Sequence, residues 1–436
     1  MEFRAHSEYM DMTIPTPAPT PAPASALTSR PAAVPLLRRS APPAAGFWLS
    51  IAAFGVVMIA GAIPTPLYVL YQARDHFGTG MLTVAFAVYA VGVLTSLLAG
   101  GHLSDHLGRR PLMLTAIGVQ LVACGVFLSS PSLPALMIGR LLSGLSIGLL
   151  TGAATAHAGE LHAAARPGAP TRRAERAAAA ANLGGIATGP LLAGILAQYA
   201  PMPLRLPYIV MVVLLVLAAV AVLAAPETRA PAESPSYRPR GLALPAQRRG
   251  RFLAAAFGAL VAFALLGLFS AMAPSFLADT LHQRSHALAG LVAFAALGAG
   301  AAAQLLLPPR TRPNRAVAMA VTLVPVGLAL LVAGVYVPNL ALFVLGGVLT
   351  GAGIGVLFKG CLSVAAQLAP ANRRGGVLST LYTSAYVGLA IPIIVLGIAV
   401  QHVDPRVALA AFSGAALIAL AFSATALFTT STEADH

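Results

Sequence analysis

Long apolar stretches alternate with short polar segments along most of the chain. No Asp, Glu, Lys or Arg occurs in the 29 residues between Asp75 and Asp105, or in the 43 residues between Arg315 and Lys359. A helix needs about 20 apolar residues to cross a bilayer, so each stretch accommodates one or two spans. The pattern predicts twelve transmembrane helices, near residues 46–72, 81–101, 112–129, 133–158, 177–200, 205–225, 252–278, 286–307, 316–335, 340–368, 375–400 and 406–428.

The polar segments divide the chain into five parts. Residues 1–45 are dense in Pro, Ala, Ser and Thr, which predicts a disordered cytoplasmic tail. Two six-helix bundles, 46–225 and 252–428, are expected on either side of a cytoplasmic linker at 226–251. A short tail, 429–436, follows. The predicted fold class is an all-α polytopic membrane protein with two pseudo-symmetric six-helix bundles.

Short sequence matches between the two predicted bundles indicate an internal repeat. Gly144-Leu-Ser-Ile-Gly148 in the fourth span resembles Gly351-Ala-Gly-Ile-Gly355 in the tenth, at an offset of 207 residues. A match around Pro66 and Pro274 gives an offset of 208 residues. Parallel repeats of this kind are typical of transporters and place a cavity between the halves.

Composition and charge support a membrane protein and exclude several other classes. The chain is 58% hydrophobic and 9% charged, with a mean hydropathy of +0.82 and a net charge of +14. The basic residues lie at the span edges rather than on one face, so nucleic acid is not an expected partner. If the N-terminus is cytoplasmic, 21 arginines flank the spans on the cytoplasmic side and four on the other. This imbalance predicts cytoplasmic N- and C-termini in a bacterial inner membrane.

One loop carries the strongest local motif. Between the second and third spans the chain reads Gly101-His-Leu-Ser-Asp105-His-Leu-Gly108-Arg109-Arg110. This loop resembles the signature loop of the major facilitator superfamily. In the fourth span, the stretch from Arg140 to Gly144 is similar to a second family motif. The resemblance covers residues 46–428 and implies a secondary transporter, with drug and metabolite efflux proteins as the nearest type.

The signature loop is predicted to gate the transporter. Gly108 permits a sharp turn, and Asp105 can pair with Arg109 or face the positive end of a neighbouring helix. The resemblance implies that this neighbour is the eleventh span, which starts near Gly375. Contacts that form in one conformation and break in the other would make a latch. The alternative is a basic turn that only sets topology.

Two basic residues lie inside predicted spans and are candidates for the cavity. Arg140 lies about two turns inside the fourth span, on the same face as Thr151 and Thr155. It contacts substrate or relays protons, or alternatively binds backbone carbonyls. Lys359 shares a face with Ser363 in the tenth span. Its alternatives are a cavity role and an extension to the cytoplasmic interface.

Other polar residues within the spans extend the candidate site. Thr65, Tyr68 and Gln72 form a polar stripe on the first span, although Tyr68 and its neighbour Tyr71 are equally suited to interfacial anchoring. His157 and Glu160 lie three residues apart near the end of the fourth span. They are candidates for carrying protons; the favoured interpretation is a helix end paired with Arg172, Arg173 or Arg176.

Small residues are expected to bring the helices close together. In the fifth span, Gly185-Ile-Ala-Thr-Gly189-Pro190-Leu-Leu-Ala-Gly194 resembles a motif associated with the family's antiporters. Close helix packing is the favoured role for the four-residue glycine spacings, including the series at Gly144, Gly148 and Gly152. Pro190 adds a bend at which a gate could hinge.

The missing motifs define the expected function as much as those present. The sequence has no phosphate-binding loop, metal-ligand cluster or nucleophile–base arrangement, so neither an enzyme nor a cofactor is expected. Its acidic residues lie at span ends rather than near the bilayer centre. The position of the acids favours a neutral or anionic small molecule as substrate, and the resemblance of the fifth span to the antiporter motif implies export. We expect a monomeric, proton-coupled exporter of such a molecule. Alternatives are a proton symporter that imports, and a non-transporting receptor or scaffold on the same fold.

Overall fold

A computed structural model describes most of the chain in atomic detail. The described residues are 40–76, 78–100, 107–229, 242–245, 248–308, 311–370 and 373–432. Gly101 and Asp105 of the signature loop lie outside them, as do the predicted tail up to residue 39 and most of the linker. The description below concerns the compact unit from residue 36 onwards.

Twelve helices of the described chain are long and apolar enough to cross a bilayer. They are α1 (Pro43–Asp75), α2 (Thr79–Gly100), α3 (Arg109–Ser129), α4 (Leu133–Ala165), α5 (Arg172–Tyr199), α6 (Leu206–Ala224), α7 (Arg249–Thr280), α8 (His286–Leu306), α9 (Pro313–Tyr336), α10 (Leu340–Leu368), α11 (Arg374–His402) and α12 (Pro405–Thr432). Each predicted span corresponds to one of these helices. The all-α, twelve-span prediction is therefore confirmed, and the chain is a multi-pass membrane protein.

Two equivalent helices are irregular near a proline. Helix α1 is interrupted at Ile63, just before Pro64, because proline cannot donate a backbone hydrogen bond to the preceding turn. Helix α7 widens into π-helical turns at Leu268–Met272 and Phe276–Thr280, on either side of Pro274. Such turns leave backbone groups without the hydrogen-bond partners that they would have in a regular α-helix. Both breaks lie in the first helix of a bundle, as the repeat predicts.

The same pair of helices packs closely in each bundle. A Cβ atom added to Gly144 on α4 would collide with the carbonyl oxygen of Tyr89 on α2. In the second bundle, a Cβ atom at Gly351 on α10 would collide with the carbonyl of Ala296 on α8. Only residues without a side chain permit this approach of two backbones. The fourth helix of each bundle thus packs on the second, which supports the internal repeat.

The two bundles touch each other at one end of the molecule. We call the end with Gly108 and the linker the linker side, and the other end the opposite side. On the opposite side, Gln198 Oε1 of α5 accepts a hydrogen bond of 2.8 Å from the backbone N–H of His286, which begins α8. Gly194 of α5 also packs against Gly290 of α8, and Gly397 of α11 against Thr83 of α2. These contacts hold the bundles together at the opposite side.

Candidate functional site

A cavity of about 170 Å³ lies between the two bundles. Helices α1, α2, α4 and α5 line it from the first bundle, and α7, α8, α10 and α11 from the second. Its lining begins near Thr65 and Pro190, beneath the contacts of the opposite side. It reaches Gln304, two residues before α8 ends on the linker side. The cavity therefore lies near the middle of the helices, on the linker side of those contacts.

Arg140 is the single charged residue among the described residues that line this cavity. Its side chain extends from α4 towards the break in α1, where Nη1 donates a hydrogen bond of 2.9 Å to the carbonyl oxygen of Gly61. The guanidinium also lies over the ring of Tyr89, 4.3 Å from its centroid, and 5.3 Å from that of Phe86. Arg140 is 1% exposed, and its Nε has no hydrogen-bond partner among the residues that the structure describes.

The remaining polar groups of the cavity are uncharged. Thr65, Thr151, Asn182, Ser270 and Gln304 supply hydroxyl and amide groups from both bundles. No Asp or Glu occurs among the described lining residues. The site offers hydrogen bonds and one positive charge, and it offers no carboxylate to a cationic ligand.

A cluster of four aromatic rings covers the second-bundle side of the cavity. The ring centroids of Phe263 and Phe358 are 4.9 Å apart, those of Phe263 and Tyr386 5.4 Å, and those of Phe358 and Tyr382 5.9 Å. All four residues line the cavity and are only partly buried. We call these four residues the aromatic wall.

The turn before α3 is held by the segment that follows α6. Gly108 has a φ of 91°, a conformation that favours glycine, so the predicted sharp turn is present. Glu227 accepts hydrogen bonds from the backbone N–H groups of Arg109 (3.2 Å) and Arg110 (2.9 Å). A carboxylate at the first turn satisfies free N–H groups and complements the helix dipole. The latch itself stays a prediction, because Asp105 lies outside the described residues.

The ends of α3, α4 and α6 meet in one polar network on the linker side. Arg109 and Glu160 form a salt bridge, with Nη2 and Oε1 3.2 Å apart. Thr228 donates a hydrogen bond to the other oxygen of Glu160, and its hydroxyl lies 3.0 Å from His157 Nδ1. The favoured interpretation of a paired helix end is therefore confirmed, but the partner is Arg109 rather than an arginine of α5. That part of the prediction was wrong, because Arg109 at the start of α3 reaches Glu160 instead.

The arrangement of two six-helix bundles around a central cavity agrees with the sequence motifs. A family profile described as the Major Facilitator Superfamily matches residues 45–324 and 255–436. The chain belongs to the major facilitator superfamily. It is therefore a transporter-type membrane protein.

Solved structures of other superfamily members share the transporter's fold. The human organic anion transporter MFSD10 (TETRAN) is 17% identical and superposes with a TM-score of 0.62. The nucleoside transporter NupG is 12% identical, with a TM-score of 0.69. Each comparison covers 88% of this chain and 100% of the other. At these identities the likeness shows the fold alone.

Two curated relatives are similar to this chain over a short region. Monosaccharide-sensing protein 2 of Arabidopsis thaliana is 30% identical over 92 residues, 21% of this chain and 12% of that protein. Facilitated glucose transporter member 2 of Rattus norvegicus is 32% identical over 95 residues, 21% of this chain and 18% of that protein. The matches thus span less than a fifth of the length of either relative.

Lys359 occupies a different place in the transporter from the one expected for a cavity residue. Its Nζ donates hydrogen bonds to the carbonyl oxygens of Gln304 (2.6 Å) and Leu307 (2.9 Å) at the end of α8. Such carbonyls lack partners within their own helix, and a cation there also complements the helix dipole. Lys359 is not part of the cavity lining, and Ser363 donates to the Lys359 carbonyl. The cavity prediction for Lys359 was wrong, since the end of α8 binds its ammonium group.

The polar stripe of α1 is only partly in the cavity. Thr65 lines it, whereas Tyr68 and Gln72 do not. Tyr68 and Tyr71 are 1% and 0% exposed, and the hydroxyl of Tyr71 donates to that of Tyr208 on α6 at 3.2 Å. Interfacial anchoring is therefore wrong for both tyrosines, because neighbouring helices cover this end of α1. On α4, Thr151 lines the cavity but Thr155 is exposed beyond it.

The glycines of α5 pack as expected. Side chains at Gly185 and Gly189 would collide with α1, and one at Gly194 with the start of α8. Pro190 combines a place in the cavity wall with contact to α8. Among the described residues, Gly152 on α4 has no heavy atom within 4 Å of its hypothetical Cβ, so the close packing of this glycine series is seen only at Gly144 and Gly148.

Sequence reasoning missed the aromatic wall and the ring that covers Arg140. Phe and Tyr are ordinary residues in apolar spans, so their number gives no signal. Spacing did offer one: Tyr382 and Tyr386 are four apart and share a helix face. Likewise, Tyr89 and Phe86 are three apart on α2 and both face Arg140.

Proposed function

We propose that the protein is a secondary active transporter of a neutral or anionic small organic molecule, which binds beside Arg140. The observation that carries this proposal is a buried guanidinium in a central cavity whose described lining has no carboxylate. Burying an unpaired charge is costly, and proteins normally pair it. A ligand with an acceptor group or a negative charge would supply the missing partner.

Charge at the linker side of the cavity supports the same substrate class. Lys359 lies next to Gln304, which lines the cavity, and Arg176 of α5 is close enough to influence the Lys359 ammonium group. Together with Arg140, these groups make the route into the cavity positive. Positive potential raises the local concentration of anions and repels cations. A permanently cationic substrate is therefore disfavoured at each step.

The packing of the bundles supports alternating access. They touch at the opposite side, and the cavity lies towards the linker side. With the linker side in the cytoplasm, as the arginine imbalance predicts, this arrangement is the inward-facing state. Separation of α5 from α8 at Gly194 and closure of the linker side would then expose the cavity to the other face of the membrane.

We further propose proton-coupled export as the direction of transport. The support is the antiporter-like sequence from Gly185 to Gly194, which lies where α5 contacts α1 and α8. Because the described cavity wall has no acid, the proton-carrying group would lie outside it, with His157 and Glu160 as candidates. Import by proton symport is the alternative. The two directions can be distinguished because pH gradients of opposite sign would drive them.

A neutral, hydroxyl-rich substrate is the second candidate. Uncharged hydrogen-bonding groups on both bundles, among them Asn182 and Gln304, favour it. The names of similar proteins include glucose and nucleoside transporters. Such a substrate would depend on these amides more than on the charge of Arg140, so a variant at Asn182 would distinguish it.

The test of this proposal is transport by the purified protein in proteoliposomes. Vesicles loaded with a mixture of organic acids, sugars, nucleosides and cations are given a pH gradient of either sign, and their contents are analysed by mass spectrometry. We expect export of one or more anionic or neutral compounds, driven by one sign of the gradient. Transport should fall at least about tenfold in Arg140→Ala, because a charge-assisted hydrogen bond contributes about 1.5–3 kcal/mol.

Two outcomes would contradict the proposal. One is robust export of a quaternary ammonium cation that Arg140→Ala leaves unchanged. The other is the absence of transport of any compound under either gradient by protein that is folded and correctly inserted, which would favour a receptor or scaffold. Arg140→Lys is the matched control, since it keeps the charge and loses the planar guanidinium.

A further inference from the structure

We propose that the cavity binds a planar aromatic acid. The carboxylate of this ligand would bind Arg140 on the first bundle, and its ring would pack against the aromatic wall of the second. This inference rests on the proposed function and names the substrate class of the same site. A single-ring aromatic carboxylate is the smallest molecule with both features.

The aromatic wall presents ring surface to the cavity. Phe263, Phe358, Tyr382 and Tyr386 come from α7, α10 and α11, and each ring contacts at least one other at a centroid distance below 6 Å. Mutual contact fixes the rings, so little side-chain entropy remains to be lost when a ligand packs on them. Aromatic pairs gain about 0.5–1.5 kcal/mol beyond the burial of apolar area. A flat ring therefore binds such a wall better than a puckered aliphatic ring of equal size.

The cavity wall formed by the first bundle supplies the charge and a second aromatic surface. Arg140 is held in place by the Gly61 carbonyl and by the ring of Tyr89. Tyr89 itself lines the cavity, as does Phe86 on the next turn of α2. A guanidinium fixed in this way is suited to a carboxylate, whose two oxygens match its planar donors. The first bundle thus recognises the acid group while the second recognises the ring.

The size of the cavity limits the ligand. An apolar cavity of about 150 Å³ in another protein holds benzene, and the cavity here measures about 170 Å³. A benzene ring with one carboxylate therefore fits the cavity in this inward-facing arrangement, while larger aromatic acids would require the cavity to widen.

The division of the site between bundles has a mechanistic consequence. The charge comes from Arg140 on the first bundle, and the aromatic wall belongs to the second. A ligand that uses both is bound most strongly when the bundles approach each other around it. Ligand binding would in this way favour closure of the linker side, since a ligand shifts an equilibrium by its differential affinity for the two states.

The test compares matched pairs of small acids on the purified full-length protein. Binding of radiolabelled benzoate is measured by scintillation proximity, with benzoate, cyclohexanecarboxylate and benzamide as unlabelled competitors. The first two share the charge and approximate size but differ in ring planarity; benzamide keeps the ring and loses the charge. We expect benzoate to bind about threefold to tenfold more tightly than cyclohexanecarboxylate. The affinity for benzoate should exceed that for benzamide by at least about tenfold.

Variants locate the preference in the cavity. Phe358→Leu and Tyr382→Leu should each reduce the preference of benzoate over cyclohexanecarboxylate. Phe422→Leu is the control, because this ring is 65% exposed on the outer face of α12. Two substitutions in the wall guard against misfolding of one, and thermal unfolding of each variant checks that it is folded.

The outcomes separate this inference from the function on which it rests. Equal affinity for benzoate and cyclohexanecarboxylate, with loss of both in Arg140→Ala, would overturn the aromatic inference and leave the anion site intact. A planar preference that persists in both wall variants would also overturn it. Binding of benzoate that is independent of Arg140 would contradict the proposed function itself.

Discussion

Two buried arginines of the first bundle have opposite surroundings. Arg109, at the start of α3, is 9% exposed and forms a salt bridge with Glu160. Arg140, on α4, is 1% exposed and forms no salt bridge within the described part of the protein. Its neighbours are a backbone carbonyl and three aromatic rings. The charge of Arg109 is thus neutralised by Glu160, whereas no acid in the described part of the chain neutralises the charge of Arg140.

This difference separates a structural role from a binding role. A buried ion pair becomes strongly destabilising when one partner is removed, because the other charge loses its counterpart. A buried cation without an acid has no such partner to lose. Substitution of Arg109 or its partner should therefore lower stability without changing ligand affinity, and substitution of Arg140 should lower ligand affinity with little effect on stability. The following predictions test this contrast, from the largest expected effect on stability to the smallest.

Glu160→Gln should give the largest loss of stability. It removes the negative charge that faces Arg109 and weakens the acceptor for the Thr228 hydroxyl. We expect a loss of about 1–3 kcal/mol, between the values for exposed and fully buried pairs. Thermal unfolding midpoints in detergent at one fixed scan rate would show it. Glu175→Gln is the control, since Glu175 is exposed at the start of α5; equal midpoints for the two variants would contradict the prediction.

Glu227→Ala should have a smaller effect of the same kind. It removes the acceptor for the first backbone N–H groups of α3. Loss of a helix cap costs about 0.5–2 kcal/mol. Hydrogen exchange at the start of α3 should increase while that at its end stays unchanged. Glu227→Gln keeps an acceptor oxygen and should lose less; protection that is the same in all three proteins would refute a capping role.

Lys359 should give the smallest change. In Lys359→Met the last carbonyls of α8 lose their donor; because the ammonium group is only partly buried, solvent screening should keep the cost to about 0.5–1.5 kcal/mol. Lys359→Arg keeps a donor and a charge and should match the wild type more closely. Since Lys359 does not line the cavity, neither variant should alter ligand affinity by more than about twofold. A tenfold loss of affinity in Lys359→Met would contradict the prediction and show that Lys359 belongs to the binding site.

The sequence predicted those features that the bilayer enforces. All twelve spans were recognisable because backbone groups in a lipid environment must be satisfied within helices, which requires long apolar runs. Arg140 was recognisable for the same reason, since a charge within such a run is conspicuous. The turn at Gly108 and the close packing of Gly144 also followed from local residue chemistry.

Features that depend on contacts between distant helices were not predictable. Arg109 lies 51 positions before Glu160, and nothing in either segment indicates the other. Lys359 stands out in an apolar run just as Arg140 does, but the place where α8 ends decides its role. Tyr71 is of a residue type that often anchors helices at the membrane interface, and only its packing against Tyr208 shows that it is buried.

The most direct test of the account is a cycle that combines a change in the protein with a change in the ligand. Affinities of benzoate and benzamide are measured for the wild type and for Arg140→Gln, under the same conditions. If Arg140 binds the acid group, the substitution weakens benzoate binding at least about tenfold more than benzamide binding, which corresponds to a coupling of about 1.4 kcal/mol. Equal weakening of the two ligands, or none, would show that the charge of Arg140 does not meet the substrate.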